Sequence, residues 1–242
     1  MPDTKPAITQ ANALAEQVYQ RIKDDIFNFV LLPGDRFTET EMARRYGASR
    51  TPIRDALYRL EREDYLQVAF RSGWSVRPFD FKRFDQLYDL RIVLELAAVA
   101  RLCEAQTPTG LDALEAVWST PASGRSSDGK HVCELDEDFH QGLVLASGNV
   151  EMARVHHEVT EKIRVVRRLD FTFQTRIDAT YDEHHEILRL ISRRQGAQAA
   201  SRLRTHIEAS KAEVRKITLH MLYEAREPAD KTEAQVAAQV AG

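Results

Sequence analysis

The chain has 242 residues, enough for two domains, and 43% of them are hydrophobic, which supports ordinary buried cores. Its two cysteines, Cys103 and Cys133, lack the spacing of a disulfide framework or a thiolate zinc site, and no apolar run is long enough for a signal peptide or a membrane span. We therefore expect a cytoplasmic protein without a membrane partner, and the net charge of −3 gives no general affinity for nucleic acid.

Positive charge is nevertheless concentrated in one part of the chain. Between residues 36 and 77 there are nine arginines, six acidic residues and no lysine. The planar fork of arginine suits phosphate groups and guanine edges. Mixed charge of this kind also occurs on ordinary solvated helix faces, so the distribution suggests DNA binding without establishing it.

Two helices are predicted first. An apolar stripe over residues 14–29 predicts a helix that ends at the Leu-Pro-Gly-Asp of residues 32–35. Residues 38–41, Thr-Glu-Thr-Glu, form a capping box, in which the first and last side chains satisfy each other's free backbone N–H groups. A short second helix is expected to run from there to about Tyr46.

A third helix and a hairpin follow. Gly47 interrupts the helical pattern, Ser49 is placed to cap the next helix, and Pro52 stands in its first turn, where a missing N–H is harmless. The period then changes to two, and residues 65–70 and 74–78 are predicted to form a β-hairpin. Three helices and a hairpin, with a glycine turn between the second and third helices, form the layout of a winged helix-turn-helix.

The start of the third helix is the predicted reader of DNA. In a helix-turn-helix the N-terminal residues of this helix enter the major groove, which places Arg50, Thr51 and Arg54 there. The alternative is that the two arginines only pair with Asp55 or Glu61 on a solvated surface. The neighbouring hairpin favours the DNA-binding interpretation.

Residues 41–60, Glu-Met-Ala-Arg-Arg-Tyr-Gly-Ala-Ser-Arg-Thr-Pro-Ile-Arg-Asp-Ala-Leu-Tyr-Arg-Leu, resemble the DNA-binding domain of the GntR family of bacterial repressors. The resemblance implies a homodimer on palindromic double-stranded operator DNA, with the third helix in the major groove and the hairpin tip near Gly73 in the minor groove. The residues expected to contact DNA are Arg36, Arg45, Ser49, Arg50, Thr51, Arg54, Arg71 and Gly73.

The rest of the chain is predicted to be all-helical. The fold class is therefore mainly α: a winged helix-turn-helix over residues 1–78, followed by an all-α helical-bundle effector domain over residues 79–226. The Ala/Gln/Glu-rich tail of residues 227–242 has too little apolar content to pack, and we expect it to be disordered.

Four residues of the helical domain form a candidate metal site. Asp136 and His140 are one helical turn apart and point to the same side. His184 and His206 are nearly equidistant from the break at residues 194–196, so an antiparallel hairpin would bring them to the same height. Three imidazoles and one carboxylate suit Zn²⁺, Ni²⁺ or Mn²⁺ with open positions for water or a ligand. The alternative is a set of surface or core histidines without a metal.

Three other histidines compete for this role. His185 adjoins His184, and His156 and His157 form a second adjacent pair. None of the three has a matching height in the simple hairpin geometry. We expect all three to lie on the surface.

Residues 135–149 and 183–207 resemble the FCD ligand-binding domain, which accompanies one branch of the GntR family, and the resemblance covers residues 81–223. In that family an aspartate and three histidines at the positions of Asp136, His140, His184 and His206 hold a metal. The resemblance also implies that a carboxylate-bearing metabolite, a small organic acid, lies against the metal.

A carboxylate effector beside a cation is expected to meet an arginine fork. Arg91, Arg164 and Arg168 interrupt otherwise apolar helix stretches, so any of them can face inward. The alternative is that they reach the surface or pair with Glu95 and Glu161. The residues expected to contact the effector are Arg91, Arg164, Arg168 and Asn149.

The leading functional hypothesis is a ligand-responsive transcriptional regulator and not an enzyme. It is either a repressor or an activator, and repression is favoured. One alternative is the same regulator with a purely structural metal. Another is a metal-dependent hydrolase, because an open metal position activates water. The sequence has no evident general acid or base in a shared motif, and a DNA-reading domain gives a hydrolase no advantage.

Overall fold

The structure is a computed structural model in which residues 10–69, 73–105, 110–172 and 174–217 are described. Backbone contacts divide the described chain into two compact units, one that ends at Phe79 and one that spans Asp80–Ile217. The tail of residues 227–242 and the hairpin residue Arg71 lie outside the described residues. Within the described ranges, no helix combines the length and the apolar character needed to cross a bilayer.

The first unit is the predicted winged helix-turn-helix. Its helices are α1 (Gln10–Phe27), α2 (Glu39–Tyr46) and α3 (Arg50–Arg62). Its strands are β1 (Arg36–Phe37), β2 (Leu66–Ala69) and β3 (Gly73–Val76), which pair antiparallel in the order β1-β3-β2. Strand β1 was not predicted, because two residues show no periodicity, and it lies beside the predicted hairpin with Phe37 opposite Trp74.

Local chemistry fixes where α2 begins and ends, and core packing fixes which side of α3 is buried. The capping box is confirmed: the Thr38 hydroxyl accepts from the Glu41 N–H at 3.2 Å, and the Glu41 carboxylate accepts from the Thr38 N–H at 2.6 Å. Gly47 ends α2 with φ of 62°, a left-handed conformation that glycine adopts without a steric penalty. The buried side of α3, Ile53 and Leu57, packs with no exposed surface, and α3 also packs on α1. The opposite side of α3 is thereby left facing solvent.

The first predicted helix differs from the observed one at both ends. Leu14 was placed on the buried stripe but is 41% exposed. The helix ends at Phe27, and Phe29 is buried in the left-handed region with φ of 57°. The chain therefore leaves the helix before the predicted stop at residues 32–35, while still burying the last aromatic ring of the stripe.

The regular secondary structure in the described residues of the second unit is entirely helical, as predicted. Its α-helices are α4 (Phe81–Glu104), α5 (Asp112–Trp118), α6 (Gly129–Ala146), α7 (Val150–Arg167), α8 (Gln174–Ser192) and α9 (Gly196–Val214). Short 3₁₀ helices cover Ala122–Gly124 and Arg168–Thr172. Helix α4 packs against α6, α7 and α9, and α8 packs against both α6 and α9.

Two tight helical hairpins position the interior side chains. The α6–α7 connection turns at Gly148, with φ of 77°, and Asn149 caps α7 by accepting from the Met152 N–H at 3.0 Å. The α8–α9 connection turns at Arg194, with φ of 57°, two residues before α9 begins. Short connections make neighbouring helices antiparallel, so residues equidistant from each turn meet across the interface.

Candidate functional site

The four residues predicted to hold a metal converge in the second unit. Helix α6 supplies Asp136 and His140, α8 supplies His184, and α9 supplies His206; we call this set the His/Asp cluster. Their ligand atoms lie within 4.8 Å of one another, and all four residues are buried. Nε2 of His206 is 3.2 Å from Nε2 of both His140 and His184. Oδ1 of Asp136 is between 3.3 and 3.8 Å from the three imidazole Nε2 atoms.

These separations suit a divalent transition metal. Zinc–nitrogen and zinc–oxygen bonds of about 2.0–2.2 Å place neighbouring ligand atoms roughly 3–3.5 Å apart in tetrahedral or octahedral geometry. The observed spacing of the His/Asp cluster, 3.2 to 3.8 Å for the pairs given above, is close to that value. The donor set therefore fits a metal with little rearrangement.

Carboxylates contact two of the imidazoles at Nδ1, the ring nitrogen that faces away from the cluster. The Nδ1 atom of His140 is 2.6 Å from a carboxylate oxygen of Glu95 on α4, and Nδ1 of His206 is 2.6 Å from Glu183 on α8. A carboxylate accepts a hydrogen bond, so Nδ1 carries the proton and Nε2 keeps a lone pair that faces the cluster. Such outer contacts fix the orientation and raise the basicity of metal-ligating histidines.

Packing orients the third imidazole. The ring of His184 stacks on Phe139, with centroids 3.7 Å apart and planes 10° apart. The edge of the Trp118 ring system meets it from the side, with centroids 4.2 Å apart. Among the described residues, the Nδ1 atom of His184 has no hydrogen-bond partner. The Nε2 atom of His184 points at Asp136 and His206. Because no carboxylate holds Nδ1, the aromatic contacts orient this ring.

Each of three carboxylates at the site, those of Glu95, Glu183 and Asp136, forms an ion pair with an arginine. Arg91 donates to Glu95 at 2.6 Å, Arg176 donates to Glu183 at 2.9 Å, and Arg167 donates to the second oxygen of Asp136. The charges of these pairs cancel, so a buried ionic network exists without net charge. Burial opposes the ionisation of Glu95, but its interactions with His140, Arg91 and His156 outweigh that cost and hold its pKa well below the usual value.

Burial has the opposite effect on the imidazoles. It lowers the pKa of His140 to about 4 and that of His206 to about 3, and it holds the pKa of His184 well below its usual value. All three rings are therefore neutral at pH 7, which is the form that coordinates a metal.

The residues predicted to contact an effector have different surroundings. Arg91 is fully buried, and its Nη1 and Nη2 atoms have no hydrogen-bond partner in the described part of the chain. Arg164 is half-buried and pairs with Glu137 at 2.7 Å. Arg168 is partly exposed where α7 ends. Asn149 lies in the turn between α6 and α7, where its side chain caps α7, and it is not one of the four residues of the cluster.

One histidine prediction was wrong. His157 and His185 are exposed as expected, but His156 is fully buried and its Nε2 atom is 3.0 Å from Glu95. The sequence contains the signal, because His156 lies on the same helical stripe as the buried Val159 and Ile163. Its distance along the chain from the nearest turn, which was used to place it on the surface, does not predict its burial.

Other functional contacts were also missed. Glu95, Glu183, Arg167 and Arg176 were not among the predicted site residues, although each belongs to the network around the His/Asp cluster. Arg176 lies eight residues before His184, on the same side of α8, and this spacing is the sequence signal that could have identified it.

A second group of predicted residues lies at the start of α3 in the first unit. Ser49, Arg50, Thr51 and Arg54 are all exposed there. Ser49 occupies the capping position, but its side chain makes no capping hydrogen bond, contrary to prediction. The arginines do not pair with Asp55 or Glu61; both donate to Glu39, the first residue of α2.

The remaining residues predicted to contact DNA are spread around this surface. Arg36 is exposed on β1 opposite Ser75, and Arg45 is exposed on α2, where it pairs with Asp25 at 2.9 Å. Gly73 begins β3, where an added Cβ atom would lie 3.4 Å from the Phe37 carbonyl oxygen. Arg71 belongs to the hairpin tip that lies outside the described residues.

Two family models match the two units. Residues 14–76 match the model of bacterial regulatory proteins of the gntR family, and residues 86–209 match the FCD domain. The Nta operon transcriptional regulator of Aminobacter aminovorans is 32% identical over 177 residues, which cover 73% of this chain and 82% of the relative. The HTH-type regulator YdhC of Bacillus subtilis (strain 168) is 29% identical over 192 residues, covering 78% of this chain and 86% of the relative.

Solved structures show the same fold. Lar, which controls expression of the Listeria monocytogenes agr system, aligns with a TM-score of 0.65 at 19% identity and covers 90% of this chain and all of its own. A GntR transcriptional regulator from Rhodococcus sp. RHA1 aligns with a TM-score of 0.66 at 19% identity, covering 85% of this chain and 99% of its own. The chain therefore belongs to the GntR family of bacterial transcriptional regulators, with a DNA-binding helix-turn-helix and an FCD domain, and it is a transcription factor rather than an enzyme.

Proposed function

We propose that this regulator is a homodimeric repressor whose affinity for a palindromic operator is controlled by a small carboxylate metabolite at a metal site. Residues 1–78 bind DNA, and residues 79–226 hold the metal and the effector. The observation that carries the proposal is the His/Asp cluster, in which three imidazole nitrogens and one carboxylate oxygen face one another in a buried interior.

The DNA surface is proposed from exposure and chemistry. Residues at the start of α3 point to solvent, as residues that enter a major groove must. A single helix-turn-helix contacts few base pairs, so specificity for one operator favours a dimer on two half-sites. The proposed contacts are Arg36, Arg45, Ser49, Arg50, Thr51, Arg54, Arg71 and Gly73.

The metal is proposed to be Zn²⁺, Ni²⁺ or Mn²⁺. Nitrogen-rich sites with one carboxylate suit these borderline ions. Four protein ligands complete a tetrahedral shell, whereas a five- or six-coordinate ion keeps open positions. Regulation through the metal therefore requires the higher coordination number, and a tetrahedral ion would favour a structural role.

The charge of the site favours an anionic effector. Arg91, Arg167 and Arg176 already match the charges of Glu95, Asp136 and Glu183, so these three carboxylates do not compensate the two positive charges that a divalent ion adds. A carboxylate ligand supplies that compensation in a buried setting, where isolated charge is costly. The unpaired Nη1 and Nη2 atoms of Arg91 are free donors for such a ligand.

Metal content tests the site directly. Elemental analysis of the purified full chain is expected to find about one divalent transition metal per chain, and the variant His140→Ala/His206→Ala is expected to lose it. His185→Ala is the matched control, because it removes an exposed imidazole next to His184. Full metal content in the double variant would refute the site.

Effector coupling tests the function. Organic and sugar acids that raise the melting temperature of wild type are added to an operator-binding assay, using a duplex selected from a random library by the protein itself. We expect operator affinity to change about 5- to 150-fold, the usual range of allosteric coupling. The effect should disappear in His184→Ala and persist in His185→Ala. Coupling that survives complete removal of the metal by chelator would assign the metal a structural role.

A further inference from the structure

We propose that Glu39 is a positioning residue for DNA recognition: it holds Arg50 and Arg54 at the start of α3 in a fixed orientation before DNA arrives. The inference rests on the proposed recognition role of these two arginines. Glu39 is the first residue of α2, whereas Arg50 and Arg54 lie on α3. We assign Glu39 no contact with a base, because it acts through these two arginines.

The geometry is that of a single carboxylate shared by two guanidinium groups. Arg54 donates through Nε to one oxygen of Glu39 at 2.9 Å and through Nη2 to the other at 2.8 Å. Arg50 adds a third bond, from its Nη2 atom at 3.2 Å. Glu39 is the most enclosed of the three, with 17% of its side chain exposed, against 51% for Arg54 and 63% for Arg50.

The bidentate contact fixes which edge of Arg54 is available. A guanidinium has five N–H donors in one plane, and the edge formed by Nε and Nη2 is occupied by Glu39. The outer edge, formed by Nη1 and the second hydrogen of Nη2, remains open. That edge has the paired geometry that guanine O6 and N7 accept. Glu39 can therefore stay bound to Arg54 while Arg54 reads a base.

Glu39 affects DNA binding through its charge and through the entropy of the two arginine side chains. One carboxylate for two arginines leaves this surface positive, so attraction to phosphate is reduced but not abolished. The hydrogen bonds from Arg54 and Arg50 hold the pKa of Glu39 below its usual value. The contact of Glu39 with these two arginines, which we call the clamp, is therefore intact at neutral pH. Arginine side chains lose rotamer freedom when they bind, and a side chain that is already ordered loses less.

These effects predict opposite consequences for two kinds of DNA. Specific binding needs arginines in one orientation, so it should weaken when the clamp is removed. Binding to random sequence needs only positive charge near phosphates, and loss of a carboxylate from the surface should leave it unchanged or strengthen it. A general loss of folding would instead weaken both.

The test uses Glu39→Gln in the full chain, since glutamine keeps the size but presents an amide donor to one arginine. Affinity is measured for a duplex selected from a random library by the wild-type protein and for a random-sequence duplex, across a range of salt. We expect the ratio of specific to random affinity to fall about 10-fold, as ordering of two side chains implies. The salt slope on random DNA should hold or steepen by about 1, because the released arginines reach phosphates.

Glu41→Gln is the matched control, because it changes the same charge in the same helical turn and glutamine also serves in a capping box. It should leave the affinity ratio unchanged. An equal loss on both duplexes in Glu39→Gln, or an unchanged ratio, would overturn the positioning role. Arg54→Ala separates this outcome from the parent proposal: if it too binds the selected duplex normally, the recognition role of the arginines has failed.

Discussion

The two units of this regulator use the same ion pair, arginine with a carboxylate, in opposite environments. In the helix-turn-helix, Arg50 and Arg54 share Glu39, and more than half of each arginine side chain is exposed. In the FCD domain, Arg91 and Glu95 pair at 2.6 Å with 1% and 0% exposed. In the proposed function, the exposed arginines exchange or share partners with DNA. The buried pair has no access to solvent, so any further partner of Arg91 must enter the same buried interior.

Free energies separate the two kinds of pair further. A solvent-exposed ion pair contributes about 0–1 kcal/mol, because water competes for both charges. Removing one partner of a buried pair costs about 3–5 kcal/mol, because the other charge remains in a medium that cannot solvate it. The environment of the pair, rather than its bond length, therefore sets the expected effect of a mutation.

Glu95→Gln should give the largest effect. The change leaves Arg91 uncompensated and alters the hydrogen bonds to His140 and His156, so we expect unfolding free energy to fall by about 3–5 kcal/mol. Urea denaturation with chelator present measures the change without a contribution from the metal. Adding Arg91→Met removes the stranded charge and should recover part of the loss. A loss below about 1 kcal/mol for Glu95→Gln would contradict the importance of this buried carboxylate.

Arg54→Ala should separate binding from stability. Loss of a paired contact to guanine is expected to weaken operator binding about 5- to 150-fold, measured by gel shift or anisotropy. The urea midpoint should change little, because the side chain is exposed and its ion pair with Glu39 contributes at most about 1 kcal/mol. Arg62→Ala is the control, since it removes an exposed arginine from the other end of α3. Equal weakening by both variants would indicate a general charge effect.

The predictable parts of this structure are those fixed by short-range spacing. Asp136 and His140 share a helix face because they are four residues apart, and His184 meets His206 because both are about equally far from one turn. The capping box that begins α2 and the glycine turn after it were likewise readable from single residues. Local rules placed α3 and brought the four cluster residues together, while the family resemblance was needed to choose between the open interpretations.

The unpredictable parts depend on how distant helices pack. Glu95 meets His140 across 45 residues of sequence, and Glu39 meets Arg54 across 15, from a different helix. An i, i+4 pairing of Arg91 with Glu95 was an open alternative, but the sequence did not show that both would be buried. Burial of a charge is decided by which helices cover it, and one amphipathic pattern does not contain that information.

The smallest effect is expected from a pair two residues away from the cluster. Arg204 and Glu208 flank His206 on α9, 3.8 Å apart, and both side chains are about half exposed. Arg204→Ala should change unfolding free energy by about 0.5 kcal/mol or less, because such i, i+4 pairs are weak and alanine favours the helix. That small change should shrink further in high salt, and metal content should equal that of wild type. A loss of metal, or destabilisation as large as that of Glu95→Gln, would show that exposed charges support the cluster across the helix. The division between exchangeable surface pairs and fixed interior pairs would then not hold in the FCD domain.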